Sequence, residues 1–294
     1  MSISPHILMC PPDHYGIQYE INPWMHRREA ADRRLAARQW QALRSLLEEC
    51  GAAVSCLPGV AGLPDLVFTA NAAVVWRQVA VPARFRYPER RGEEPHGRQW
   101  LCEHGFEVRE LAAGVFFEGA GDALFCGDTL WAGYRFRSDI RGHQGLGDLL
   151  ECRVLSLELV DPRFYHLDTC FCPLAPGTAI WYPAAFDEYA RRVLAGSIDD
   201  LIAVSAAEAG NFACNAVVVG RTVITNTGCH ELHRALAARG FLPRSTPLGE
   251  FVKAGGAAKC LTLRLDGEEA AGWKQAVTAR AAAHGSGPDG LVRS

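Results

Sequence analysis

Cys260 follows a run of mostly small residues, Lys253-Ala254-Gly255-Gly256-Ala257-Ala258-Lys259, and precedes the apolar Leu261-Thr262-Leu263. Small residues let a ligand and the backbone come close together. A thiol held there, as its thiolate, can attack a bound electrophile. The same position also suits a buried small hydrophobe, the usual fate of a free cysteine. A second reactive set lies in His166-Leu167-Asp168-Thr169-Cys170-Phe171-Cys172. As a strand, this segment turns His166, Asp168, Cys170 and Cys172 to one face. Three readings fit that row. One is a general acid/base histidine with a carboxylate gripping a cation. Another is a zinc site, although same-face neighbours about 7 Å apart on one strand make four ligands awkward. The third is a satisfied core histidine with inert thiols.

Carboxylates, amides and arginines complete the candidates. Phe116-Phe117-Glu118-Gly119-Ala120-Gly121-Asp122 sets two carboxylates among small residues. It reads as a partner for a histidine or a guanidinium fork, or as a turn. Pro64-Asp65-Leu66-Val67-Phe68-Thr69-Ala70-Asn71 ends an apolar strand on an amide, which suits a strand-end cap as well as a ligand. Asn22, before Pro23, suits a turn start. Arg90 and Arg137 are candidates for a substrate carboxylate, against the commoner fate of a surface arginine.

The elements that must position these groups are short. Residues 27–49 pattern as an amphipathic helix with Leu35, Gln39, Leu43, Leu46 and Leu47 near one face. Strands are expected at Leu66–Phe68, Ala73–Trp76, Val79–Pro82, Phe106–Leu111, Leu130–Tyr134, Val154–Leu159, Ala216–Val219 and Thr222–Thr225, the last two joined at Gly220-Arg221. Helices are expected at Glu94–His104, Asp187–Leu194 and Glu231–Arg239. No Gly-x-Gly-x-x-Gly follows the first strand, which disfavours a dinucleotide fold. The tail from Gly272 is expected to fray.

The 294 residues carry a formal net charge of −3, with scattered basic residues, so no global field draws nucleic acid or anionic lipid. No apolar run approaches the roughly 18 residues of a membrane span, and the first residues lack a charged-then-apolar leader. The 11 cysteines include no Cys-x-x-Cys pair and suggest reduced thiols. A cytoplasmic protein is expected, with a small molecule as its partner rather than nucleic acid or membrane, and a homo-oligomer is possible.

Phe-Glu-Gly-x-Gly-Asp, then His-Leu-Asp-Thr, then Gly-Gly-x-x-x-Cys resembles, in that chain order, the guanidine-modifying enzymes. These are the arginine deiminases, dimethylarginine dimethylaminohydrolases and amidinotransferases. Met9-Cys10-Pro11-Pro12-Asp13, Ile21-Asn22-Pro23-Trp24-Met25, Val67-Phe68-Thr69-Ala70-Asn71-Ala72, Tyr87-Pro88-Glu89-Arg90, Trp131-Ala132-Gly133-Tyr134, Phe164-Tyr165-His166-Leu167-Asp168-Thr169 and Asn211-Phe212-Ala213-Cys214-Asn215 look closer still to the bacterial arginine dihydrolases. The resemblance reaches to about Leu265. It implies a catalytic domain over residues 1–271 with a tail over 272–294. It does not lead one to expect the further C-terminal domain of some relatives.

The implied fold is an α/β, five-bladed propeller (the pentein fold) of strand-strand-helix-strand units, without metal or cofactor. The implied activity is hydrolysis of L-arginine to ornithine, ammonia and carbon dioxide through a covalent Cys260 thiouronium. Alternatives are a deiminase or dimethylaminohydrolase stopping at citrulline, an amidinotransferase, or a non-catalytic scaffold. By resemblance Cys260 is the nucleophile, His166 the acid/base and Glu118 its support. Asp168, Asn71 and Asp65 join the substrate-binding set. Arg90 and Arg137 take the α-carboxylate, and Tyr19 and Asn22 line the entrance. Two departures stand out. Many relatives carry Glu-Gly-Gly-Asp, whereas an extra small residue here leaves Glu118 and Asp122 both open as the histidine's support. Asn71 stands where deiminases and dimethylaminohydrolases have aspartate.

Overall fold

Five three-stranded sheets repeat one pattern in the computed structural model, which describes residues 4–272. The first unit holds β1 (His6–Met9), α1 (Arg33–Glu49) and β2 (Ala53–Cys56), with β2 parallel to β1. The second holds β3 (Ala73–Trp76), β4 (Val79–Pro82), α2 (Glu94–Glu103) and β5 (Glu107–Val108). The third holds β6 (Ala123–Cys126), β7 (Thr129–Tyr134), α3 (His143–Leu150) and β8 (Arg153–Glu158). The fourth holds β9 (Phe171–Ala175), β10 (Thr178–Trp181), α4 (Glu188–Ser197) and β11 (Asp200–Ala203). After the short α5 (Ala206–Gly210), the fifth holds β12 (Val217–Val219), β13 (Thr222–Asn226), α6 (His230–Ala238) and β14 (Leu242–Thr246). Beyond α7 (Gly249–Val252), β15 (Leu263–Arg264) returns to pair antiparallel with β1, so the first sheet is built from both ends of the described chain.

In each of the four middle units an antiparallel hairpin is followed by a helix and a parallel third strand. A parallel return needs a crossover, and the helix supplies it. This is the expected five-unit α/β propeller. The first strand of each hairpin is apolar and almost wholly buried, as a strand covered on both faces must be. The helices face outward and bury one stripe; α1 covers Ala36, Gln39, Trp40, Leu43, Leu46 and Leu47.

Several expectations needed correction. The first helix starts at Arg33, because Asp32 caps it by accepting from the Arg34 and Leu35 backbone N–H groups. Leu66–Phe68 is not a strand. It lies across two 3₁₀ turns, Pro64–Val67 and Thr69–Ala72, whose bonds are local. The Phe106–Leu111 strand shrinks to Glu107–Val108. The presumed strand through His166 also begins late. Leu167–Thr169 is a 3₁₀ turn, and strand pairing starts only at Phe171. His166 and Asp168 therefore do not share a strand face with Cys170 and Cys172. Those thiols instead point at core carbonyls, Cys170 at Leu167 and Cys172 at Ala216. No helix among the described residues is long and apolar enough to cross a membrane. The tail predicted to fray lies, from residue 273, outside the described residues.

Candidate active site

The segments entering the first strands of successive units converge. Asn71 precedes β3, Glu118 and Asp122 precede β6, His166 and Asp168 precede β9, Asn215 precedes β12, and Cys260 precedes β15. Five homologous entry turns thus deliver one side-chain set to one place. The turns are also tied to each other, since the Ala70 N–H donates to the Cys260 carbonyl at 3.1 Å.

Close packing explains the glycines. Gly119 has φ +61°, and a Cβ there would sit 2.8 Å from the Ala70 and Asn71 carbonyl oxygens. A Cβ on Gly121 would overlap the Asn71 amide nitrogen and touch the His166 ring. One on Gly256 would lie 2.7 Å from the Phe68 ring and 3.0 Å from the Cys260 Cβ. The Gly-rich stretches are where backbone and side chains of neighbouring units touch.

Cys260 is 3% exposed. Its thiol donates to Asp168 Oδ2 at 3.3 Å and accepts from Asn215 Nδ2 at 3.1 Å. Asn215 Oδ1 accepts from the Cys260 and Ala257 backbone N–H groups at 3.1 and 3.0 Å, so one amide holds both the turn and the sulfur. Burial, and then the neighbouring Asp168 carboxylate, push the Cys260 thiol well above its ordinary range. Burial likewise raises Asp168 to about 7. Two groups that each resist negative charge thus face one another across a single hydrogen bond.

His166 Nε2 lies 2.7 Å from Glu118 Oε2. That same oxygen accepts from Arg137 Nη1 at 3.0 Å. Burial alone would raise the Glu118 carboxyl, but Arg137 and the His166 ring together hold it well below the usual carboxylate range. Asp122 is turned elsewhere: it accepts from the Ser138 hydroxyl at 2.6 Å and the Leu167 N–H at 3.0 Å. Of the two carboxylates left open by the sequence, Glu118 is the one that meets the imidazole. The Arg137 guanidinium also stacks between Tyr87 and Tyr165, at 4.8 and 4.5 Å from their ring centres.

Arg90 is buried and held by Glu93 through two bonds of 2.9 and 2.8 Å. It donates further to Asn71 Oδ1 and to the Asp65 carbonyl. Asn22 makes a turn, its Oδ1 accepting from the Trp24 and Met25 N–H groups, and it donates to the Ala254 carbonyl beside the Cys260 turn. Tyr19 is half-buried at the edge of the cluster; its hydroxyl is close enough to feel the Asp65 charge but meets no hydrogen-bond geometry. Three buried polar atoms of this cluster lack a partner: Asp168 Oδ1, Asp65 Oδ1 and the Tyr19 hydroxyl. No group of three or more His, Cys, Asp or Glu side chains among the described residues is arranged to hold a metal ion.

All ten residues singled out from the sequence belong to this cluster or its rim. Asn215, Glu93 and Tyr165 were missed. For Asn215 a signal was present, an amide lodged between Cys214 and the apolar Ala216–Val219. Glu93 had none, since a glutamate in a charged run looks like solvated surface.

The family model described as N,N dimethylarginine dimethylhydrolase, eukaryotic, matches residues 18–265. The chain is 50% identical over 264 residues to the bifunctional arginine dihydrolase/ornithine cyclodeaminase ArgZ of Synechocystis sp.. That match takes in 88% of this chain and 37% of ArgZ, so the chain spans well under half the length of that relative. It is 39% identical over 257 residues to the N(G),N(G)-dimethylarginine dimethylaminohydrolase of Mycobacterium tuberculosis, covering 87% of this chain and 84% of that one. A crystal structure of the N-terminal domain of an ArgZ variant, covalently bonded to a reaction intermediate, superimposes with a TM-score of 0.87. The identity there is 48%, over 90% of this chain and 99% of that one.

Proposed function

This chain belongs to the N,N-dimethylarginine dimethylhydrolase family, and we propose that within it the chain hydrolyses L-arginine to ornithine, two ammonia and carbon dioxide, with Cys260 as nucleophile. The observation that carries the reading is the orphaned carboxylate oxygen Asp168 Oδ1, on the same side chain whose Oδ2 accepts from the Cys260 thiol. A buried acceptor without a donor costs about 1–3 kcal/mol. Arginine brings two cationic N–H groups to such a place, a guanidinium and an α-ammonium. Its carboxylate finds Arg137, of whose five N–H donors two are engaged.

The cation reverses the local electrostatics. Beside a guanidinium, both Asp168 and Cys260 favour their anionic forms, and the single proton they share leaves to solvent. Sulfur bonds to the guanidinium carbon. His166, its imidazolium stabilised by Glu118, gives a proton to the departing nitrogen, and ammonia leaves a thiouronium. His166 then takes a proton from water, the hydroxide adds, and the carbon–sulfur bond breaks to give the ureido compound. In a second round the thiolate attacks the ureido carbon, ammonia leaves again, and water cleaves the thiocarbamate to an N-carboxylate that loses carbon dioxide.

Asn71 supports the second round. Its amide donates to a ureido oxygen, which an ionised aspartate at that place does not. The kinship with an arginine dihydrolase at 50% identity, and the covalent intermediate on the ArgZ domain, support the same reading. Incubation with L-arginine followed by amino-acid analysis tests it. Ornithine is expected from the wild type and citrulline from Asn71→Asp. Ornithine formation unchanged in Asn71→Asp removes the role given to Asn71, and citrulline as the wild type's end product removes the dihydrolase reading.

A further inference from the structure

Asn71 acts only if its amide points the right way, and the direction is set two residues back from the site. Arg90 has five N–H donors. Glu93 takes Nε and one Nη2 hydrogen, the Asp65 carbonyl a second Nη2 hydrogen at 3.2 Å, and Asn71 Oδ1 an Nη1 hydrogen at 2.9 Å. With its oxygen on Arg90, the Asn71 amide turns its NH₂ away, toward the Glu118 carbonyl at 3.3 Å. A flipped amide would set N–H against a guanidinium N–H, leaving both donors unsatisfied and buried. The guanidinium is itself fixed by the bidentate Glu93 fork and by the Phe85 ring under it at 4.4 Å. Glu93 closes the 3₁₀ turn Pro88–Glu93 and is as buried as the arginine it holds.

We infer that Glu93 is the positioning residue for the second hydrolysis: through Arg90 it fixes which end of the Asn71 amide carries the donors, leaving one Nδ2 hydrogen beyond the Glu118 bond for a ureido oxygen, and so decides whether the ureido compound is retained or released. The inference rests on the arginine dihydrolase reading and adds to it a residue that touches no substrate. Removing the Glu93 charge frees the guanidinium to rotate, the amide loses its fixed polarity, and the neutral ureido group loses its donor. The first round keeps Cys260, His166, Glu118 and Asp168; a looser Arg90 raises KM for arginine without changing which product leaves.

The test is Glu93→Gln in the full chain, given L-arginine and, separately, L-citrulline, with amino-acid analysis of both. At saturating L-arginine the ornithine share of the product is expected to fall about tenfold or more, the scale of one lost charge-assisted hydrogen bond, while KM for arginine rises through Arg90. Turnover of supplied citrulline falls in parallel. If Glu93→Gln does not fold, Glu93→Asp carries the test: its shorter reach costs one arm of the fork, and a fall of about threefold in the ornithine share is expected. An unchanged product ratio overturns the inference, and so does a loss of arginine consumption equal to the loss of ornithine, which marks a merely structural role. A wild type that stops at citrulline sinks the dihydrolase reading and this inference with it. A wild type that makes ornithine beside an unaltered variant sinks the inference alone.

Discussion

The Cys260 thiol donates to Asp168 at 3.3 Å, so the nucleophile is restrained by the same carboxylate that is proposed to receive the substrate. Asp168→Asn removes the negative neighbour. Alkylation of Cys260 near pH 8, followed by mass spectrometry of the peptide, is expected to speed up several-fold because the thiol becomes easier to ionise. Turnover of arginine by the same variant is expected to fall at least about 100-fold, since the guanidinium loses a charged partner. A reactive thiol in an inactive enzyme separates the two roles.

The same pair gives a pH dependence. Asp168 is raised by burial from 3.8 to about 7, so between those values the folded state binds the proton that the unfolded state has released. Its contribution to stability is present below about pH 4 and is lost as pH rises toward 7. In thermal melts of the ligand-free protein over that window, Asp168→Asn is expected to show a more positive slope of Tm with pH than wild type. Arginine binding to Cys260→Ser is expected to release a proton below pH 7, read by calorimetry in buffers of different ionisation enthalpy.

Glu118 answers both His166 and Arg137. Glu118→Gln leaves a buried guanidinium without its anion and takes the carboxylate partner from the His166 ring. The expected cost is about 3–5 kcal/mol of stability by urea denaturation. A fall in kcat of about 100-fold or more accompanies it. Asp122→Asn is expected to leave the His166 contact in place and to act mainly through its bonds to Ser138 and Leu167.

Two glycines two residues apart separate fold from function. Gly119→Ala forces a side chain into a left-handed backbone against two carbonyl oxygens, and a loss of about 2 kcal/mol or more in denaturant titration is expected. Gly121, without a positive φ, faces the Asn71 amide and the His166 ring. Gly121→Ala is expected to reduce turnover far more than it shifts the unfolding midpoint.

Asn215→Ala strips partners from the Ala257 and Cys260 N–H groups and from the sulfur. Each buried donor left unpaired costs about 1–3 kcal/mol. Lower stability and a fall in kcat are expected together, whereas Asn215→Asp puts a second carboxylate beside the thiol and is expected to slow alkylation of Cys260.

The residue types alone carried a good deal. A cysteine among small residues, a histidine two places from an aspartate, and an alternation of short strands with one-faced helices were legible because they are local: they follow from side-chain chemistry and from periods of two and 3.6. The hairpin turning at Gly220-Arg221 and the stripe on α1 came through for that reason. The polar row from His166 to Cys172 did not, because alternation of residue types does not show where strand pairing begins, and here a 3₁₀ turn occupies Leu167–Thr169. Asp65 and Asn71 were likewise hidden on 3₁₀ turns that read as strand. Ring closure decided the rest. Only when five entry turns meet does Glu118, rather than Asp122, reach the imidazole, and only then does Asn215 find the sulfur 45 residues further along. Burying those charges beside one another moves their protons, and no single stretch of chain contains the neighbours that do it.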